Sequence, residues 1–376
     1  MQTAIGILIF ILILGIVIFI HELGHFLAAR RAGIFVEEFA LGMGPKLISV
    51  NGKKKNRDGE TTLFSLRAFP VGGFCKMRGQ DDNLPDDPEA LNNKSIPARA
   101  LVMAGGSLMN FLLAFVIFFI LVMISGVPTG ETEVFVRNVI ENRPAFAAGL
   151  RTDDIITHIN GVKIETPRDV VDLVVASEGA PIDMSVSRGE EQHSFSITPV
   201  LSWNNEIDDY VYMIGFTPSL RFQFAQASIL DGIVTSGKMI PMYVTELLNL
   251  LSRLIAGEQI ADGEGLMGPI RMGGEITMIY QETIKRSFGE MLFAMVSFTA
   301  VINLALGVMN LFPIPALDGA RLVFLGIEAI RKKPVPPEKE ALVHMIGLVS
   351  LLMLAVFIAY RDTLWLFALL FNDYPG

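Results

Sequence analysis

The stretch Ala4 to Ile20, AIGILIFILILGIVIFI, contains no polar side chain and runs straight into His21-Glu22-Leu23-Gly24-His25. A hydrocarbon core of about 30 Å needs about 20 helical residues, so Ala4 to about Ala28 reads as a membrane-spanning helix. It has no basic leader and no small-residue cleavage site, which makes it a retained span and not a removed signal peptide. Residues four apart share one face of a helix, so both imidazoles can grip one metal ion. Glu22 beside them is then placed to take a proton from an attacking water. The plainer alternative is a pair of interfacial histidines that ends a membrane helix.

Composition supports the membrane reading. Hydrophobic residues make up 51 % of the 376-residue chain and charged residues only 18 %, against about 25 % charged in soluble folds. Three further stretches are long enough to span: Leu101 to Ile124, Met291 to Phe312 and Ala341 to Ala359. Leu364 to Phe371 is too short and is expected at the interface. Arg30, Arg31, Lys94, Arg99, Arg321, Arg331, Lys332 and Lys333 all flank the same side of these spans. The positive-inside bias therefore puts both termini outside and the segments 26–100 and 313–340 in the cytosol. Lys53 to Lys55 and Arg31 are expected at anionic headgroups. The net charge of −9 comes mainly from the region 125–290, where acidic residues outnumber basic ones. Nucleic-acid binding finds no support. Cys75 is the one cysteine, which excludes an internal disulfide and a cysteine metal site.

Between the spans the pattern changes. Thr61 to Arg67 and Gly73 to Met77 read as short strands, joined by turn residues at 69–73. Gln80 to Pro97 is polar and reads as a loop or surface helix. Residues 126–220 form a compact outer domain. Its expected strands are Val134 to Val139, Asp154 to Ile159, Ile182 to Val186 and His193 to Ile197, and Asn160-Gly161 is a tight turn. A helix starts at Pro167. The region 221–290 turns to amphipathic helix, most clearly from Ile229 to Leu254, and glycine-rich Gly257 to Gly274 is expected to be a loop. His158 and His193 read as surface or strand residues.

The third span ends in Asn310-Leu-Phe-Pro313-Ile-Pro315-Ala-Leu-Asp318-Gly319. Spans one and three run in the same direction, so their C-terminal ends lie in one leaflet and His21, His25 and Asp318 can converge. Two imidazoles, one carboxylate and an open position make a catalytic zinc site. The prolines stop the helix, and irregular backbone at that depth needs cover from protein or a water-filled cavity.

The two motifs together resemble the site-2 protease family, and the insert between spans two and three resembles the PDZ domain of its bacterial branch, the regulator of sigma-E protease type. The PDZ likeness rests on Pro144, Gly149, Leu150, Asp154, Ile156 and Asn160-Gly161. One copy is evident, so the chain is nearer the single-PDZ members. The second-span pattern Met103 to Phe111, with Asn110, also resembles the family, although Gly106 stands where proline is frequent. The resemblance implies a polytopic α-helical membrane protein with four transmembrane helices, a re-entrant β-hairpin at about 61–79 and an inserted α/β PDZ-like extracytoplasmic domain.

The implied boundaries are 1–28, 101–124, 291–318 and 341–360 for the helices, 29–100 for the cytosolic segment, 126–220 for the PDZ-like domain and 221–290 for helices and loop. The implied activity is intramembrane zinc proteolysis of membrane-spanning protein substrates in a bacterial inner membrane, such as anti-sigma factors or remnant signal peptides. Zn2+ would sit on His21, His25 and Asp318, with Glu22 as general base. Asn310, Pro313, Pro315, Gly72 and Gly73 would handle substrate, and Met213 to Phe216 is a candidate loop for a peptide C-terminus. His344, at the inner end of span four, is a candidate support for the site. A membrane-anchored PDZ scaffold and a zinc-dependent transporter are the rival classes. A scaffold would be expected to have lost a ligand or the base, and a transporter would need a polar path across the bilayer.

Overall fold

The computed structural model describes residues 2–80, 84, 86–204, 209–256, 258 and 267–370. The chain divides into two compact units, one made of Met1–Val122 with Ile229–Gly376 and the other of Met123–Ser228.

The first unit is built on α1 (Gln2–Arg31). Its C-terminal end leads into a two-stranded antiparallel hairpin, β1 (Val36–Lys55) and β2 (Thr61–Met77). Glu38 to Leu41 pair with Lys76 to Gly73 on one side and with Leu63 to Leu66 on the other. The long hairpin thus doubles back across the turn expected at 69–73, where Gly72 has φ of 82°. The partner strand β1 escaped the sequence reading because Gly42, Gly44 and Pro45 look like loop residues. Gly42 and Gly44 take φ of 81° and 82°, which shift the register without ending the pairing. Phe39 of β1 packs edge-on against Phe19 and Phe26 of α1, so the hairpin is fixed to the helix that carries the histidines. Of the polar stretch 80–97, residues 81–83 and 85 lie outside the described residues. Asn93 ties the remainder together by donating to the carbonyls of Leu84 and Asp87.

Next, α2 (Ile96–Ser125) crosses α1 at a point of backbone contact. A Cβ on Gly24 would lie 2.1 Å from the Gly105 carbonyl oxygen, so only glycine permits the approach.

The second unit is a sheet closed over one helix. Its elements are β3 (Val127–Val139), α3 (Pro144–Ala147), β4 (Ile155–Ile159), β5 (Val162–Lys163), α4 (Pro167–Ala176), β6 (Ile182–Arg188), β7 (Glu191–Ile197), β8 (Val200–Asn204), β9 (Asp209–Met213) and β10 (Phe216–Ala225). The main sheet runs β10-β3-β4-β6-β7, with β5 on β4, and β8 pairs with β9 separately. Val134, Val136, Ile156, Ile159, Ile182, Met184, Val186 and Ile197 form its core with Val170 and Val174 of α4. Thr166 caps α4 in a capping box with Asp169. Asp154 is 1 % exposed and receives two hydrogen bonds from Arg188, both 2.7 Å. Burial pushes the Asp154 carboxyl up, but the Arg188 guanidinium and the Arg151 N–H outweigh it and hold it below the usual carboxylate range.

The chain returns to the first unit through α5 (Ile229–Ile255), α6 (Pro269–Arg286), α7 (Phe288–Leu311), α8 (Asp318–Arg331) and α9 (Pro337–Leu370). Of the expected loop 257–274, residues 257 and 259–266 lie outside the described residues, and 269–274 is helical. Its glycines serve packing: a Cβ on Gly273 would touch the Phe10 ring at 3.4 Å, and one on Gly274 would come within 2.9 Å of Trp365. Of the short apolar stretch Leu364 to Phe371, residues 364–370 continue α9 and residue 371 lies outside the described residues. Asp362 of α9 is buried and accepts the backbone N–H groups of Gly268 and Arg271 at the start of α6. It completes the orphan donors of that helix end.

Among the described residues, four helices are long and apolar enough to cross a membrane: Gln2–Arg31, Ile96–Ser125, Phe288–Leu311 and Pro337–Phe367. Phe10, Ile13 and Val17 of α1 pack on Ile276 of α6 and Met295 of α7. Ala114, Ile117 and Phe118 of α2 meet Ala300 and Leu304 of α7.

Candidate metal centre

Helical periodicity points His21 and His25 from α1 toward the break between α7 and α8. The helix α7 ends at Leu311, the prolines at 313 and 315 carry the chain through a turn, and α8 restarts at Asp318. A Cβ on Gly319 would lie 2.2 Å from the Phe312 carbonyl oxygen and 2.3 Å from that of Leu311. The start of α8 is thereby seated on the end of α7, and Asp318 is returned to the histidines.

The donor atoms form a near-equilateral triangle. Asp318 Oδ2 is 3.2 Å from His21 Nε2 and 3.1 Å from His25 Nε2, and the two Nε2 atoms are 3.2 Å apart. Tetrahedral zinc with bonds of 2.0–2.1 Å has donor-to-donor edges of about 3.3 Å. The triangle therefore fits zinc before any movement. Both imidazoles are buried, and three lone-pair donors this close are mutually repulsive unless a cation or proton lies among them.

The outer nitrogens support the same arrangement. His25 Nδ1 donates to the Val102 carbonyl at 2.8 Å, which leaves the Nε2 lone pair free for a metal. His21 Nδ1 lies 3.2 Å from the amide of Asn110, whose Oδ1 is buried without a partner. Amide oxygen and nitrogen are assigned by their hydrogen bonds. With Oδ1 turned to the imidazole, Asn110 accepts from Nδ1–H and His21 gains the tautomer a metal ligand needs. Asn303 of α7 holds the neighbouring backbone by donating to the Asn110 carbonyl at 2.6 Å.

A cavity of about 320 Å³ opens beside the triangle. His21, Glu22, His25, Asp318, Asn310, Gly72 and Gly73 all line it, with Gln80 and Arg321 adding polar groups. A Cβ on Gly73 would lie 3.1 Å from Glu22 Cγ, so strand β2 forms the wall opposite the acid. Asn310 Nδ2 is 3.4 Å from His21 Nε2. Pro313 and Pro315 are not on the cavity wall. In the second unit, Gly215 has φ of 85° and is covered by the Arg143 side chain, which donates to Ser202 Oγ at 2.7 Å. Arg321 was not singled out from the sequence, although it lies one helical turn from Asp318, where i, i+3 spacing brings side chains to one face.

Comparisons with known proteins identify the family. The model of the family described as peptidase family M50 matches residues 9–354. A Clostridium acetobutylicum protein that carries a zinc metalloprotease name is 32 % identical over 96 % of this chain and 98 % of its own. The regulator of sigma-W protease RasP of Bacillus subtilis is 29 % identical over 95 % and 98 %. Among solved structures, the PDZ domain of the SdrC-like protein of Listeria monocytogenes matches 23 % of this chain and 85 % of its own, at 22 % identity and a TM-score of 0.20, too slight a likeness to bear on the fold. Motifs, donor geometry and a family match over most of the length coincide, and the chain belongs to peptidase family M50.

Proposed function

We propose that the chain is an intramembrane zinc endopeptidase that hydrolyses peptide bonds within or near the transmembrane segments of membrane-tethered substrates. The observation that carries this reading is the triangle of His21, His25 and Asp318 beside Glu22, at the end of an unbroken apolar helix. Zinc held by those three residues would polarise the scissile carbonyl and acidify water. Glu22 accepts the proton of the attacking water and returns it to the leaving amine.

A helical substrate presents no free peptide bond, since each N–H is already paired. Unwinding it in lipid needs a partner for the freed groups. The hairpin wall at Gly72 and Gly73 is suited to add a strand to an extended substrate, as a re-entrant element reaching into the bilayer. Glycine there lets a second backbone approach Glu22. Asn310 is placed to hold a freed carbonyl. Pro313 and Pro315 shape the turn that delivers Asp318.

The Lys and Arg bias supports a site near the cytosolic face with both termini outside. The domain at 126–220 then lies outside the membrane, where its Met213–Phe216 loop would take a peptide C-terminus. Tethered regulators such as anti-sigma factors, and remnant signal peptides, are the substrate classes that fit. The test is capture in native membranes. Glu22→Gln protein should retain membrane-spanning proteins that accumulate uncut and disappear when wild-type chain is restored. Recovery of soluble proteins alone would count against the reading.

A further inference from the structure

Ala316 has φ of 78°, a left-handed conformation that costs an L-residue free energy. Five other non-glycine described residues share a positive φ. Asn142, Asp153 and Asn160 are types that tolerate it, and Glu178 and Lys332 follow helix ends. Ala316 has neither excuse, and it lies two residues before the metal-facing Asp318. Strain of this kind persists only where the surroundings impose it.

The surroundings here are α9. His344 Nδ1 accepts the Ala316 N–H at 2.9 Å, which puts the imidazole proton on Nε2. The nearest acid to Nε2 is Glu340, at 3.7 Å, so the bond to Ala316 is the well-formed one. Phe324 of α8 flanks the ring with centroids 5.6 Å apart. One turn along the same face of α9, a Cβ on Gly347 would lie 2.2 Å from Pro315 Cβ and 2.6 Å from its carbonyl oxygen. The helix thus meets the turn at bare backbone and offers one hydrogen-bond acceptor to it.

We propose that His344 is a positioning residue for the metal centre: by accepting the Ala316 amide it holds the left-handed turn that aims Asp318 at His21 and His25. His344 does not line the cavity and acts only through this backbone. The inference rests on the zinc reading of the three donors and adds a support from the last membrane helix.

The test uses the full chain purified in lipid nanodiscs. Zinc affinity is read by chelator competition, and ligand geometry by the visible spectrum of the cobalt-substituted protein. His344→Ala should weaken zinc binding by about 10- to 100-fold and alter the cobalt spectrum. His344→Asn, whose Oδ1 can take the place of Nδ1, should restore both. Ala316→Gly in the His344→Ala background should recover about fivefold or more, because glycine adopts the turn without strain. Wild-type affinity and spectrum in His344→Ala would overturn the proposal. So would a loss that neither rescue reverses, which would assign His344 to packing of α9 alone. A wild-type chain that binds no zinc would overturn the metal reading beneath it, an outcome distinct from both.

Discussion

Asp318 Oδ2 lies 3.1 Å from His25 Nε2 although 293 residues separate them. The contact depends on α7 ending beside the His21 turn of α1, and on the seat that the Leu311 and Phe312 carbonyls give to Gly319. Everything chemical in the chain is arranged around that meeting point.

The Asn110 amide lies 3.2 Å from His21 Nδ1, and with its Oδ1 turned to the ring it would set the tautomer of His21. Asn110→Leu should leave the Nδ1–H facing an apolar group and weaken zinc binding by about 10- to 100-fold. Asn110→Asp keeps an acceptor and should retain most of the affinity. Chelator competition on the two purified variants decides it; equal affinity in Asn110→Leu and wild type would remove Asn110 from the site.

The crossing of α1 and α2 leaves no room for a methyl group at Gly24, whose Cβ would sit 2.1 Å from a backbone oxygen. Gly24→Ala should cost about 1–3 kcal/mol through overpacking and reduce zinc retention, since His21 and His25 flank the crossing. A thermal unfolding scan of the solubilised protein checks this, and an unchanged midpoint would contradict the close contact.

Asp154 is buried and paired with Arg188 in the outer unit. Asp154→Ala removes the acceptor of both the Arg188 guanidinium and the Arg151 N–H and should destabilise that unit. The folded carboxyl titrates below its unfolded value, so its contribution is present above about pH 4. It fades as the pH falls through the folded value. Amide exchange in β4 and β6 of the full chain should accelerate in the variant at neutral pH, and in the wild type only under acid. Uniform exchange in both proteins at neutral pH would rule this out.

The membrane helices and both metal motifs were legible because each is a local pattern: an unbroken apolar run, a four-residue spacing, a proline-broken helix end. Of the hairpin, the strand stretches at 61–67 and 73–77 were legible and β1 was not. Gly42, Gly44 and Pro45 signal loop locally, and only pairing with β2 gives them a strand. The start of α6 and the end of α9 were hidden for a related reason. Gly273 and Gly274 read as loop, yet they make room for Phe10 and Trp365. Asp362 caps α6 from another helix, a contact that spacing along the chain does not display. The role of Asn110 and the bond of His344 to Ala316 are likewise non-local, and spacing in the chain cannot display them.

The central claim is that His21, His25 and Asp318 hold zinc and that Glu22 moves the proton. Metal analysis and cleavage of a membrane-tethered substrate, measured together on wild type, Glu22→Gln and Asp318→Ala, test it most directly. The account predicts about one zinc per chain in the wild type and in Glu22→Gln, with cleavage in the wild type alone. Asp318→Ala should lose both zinc and cleavage. Zinc-loaded Glu22→Gln that cuts at the wild-type rate, or Asp318→Ala that keeps its zinc, would contradict it.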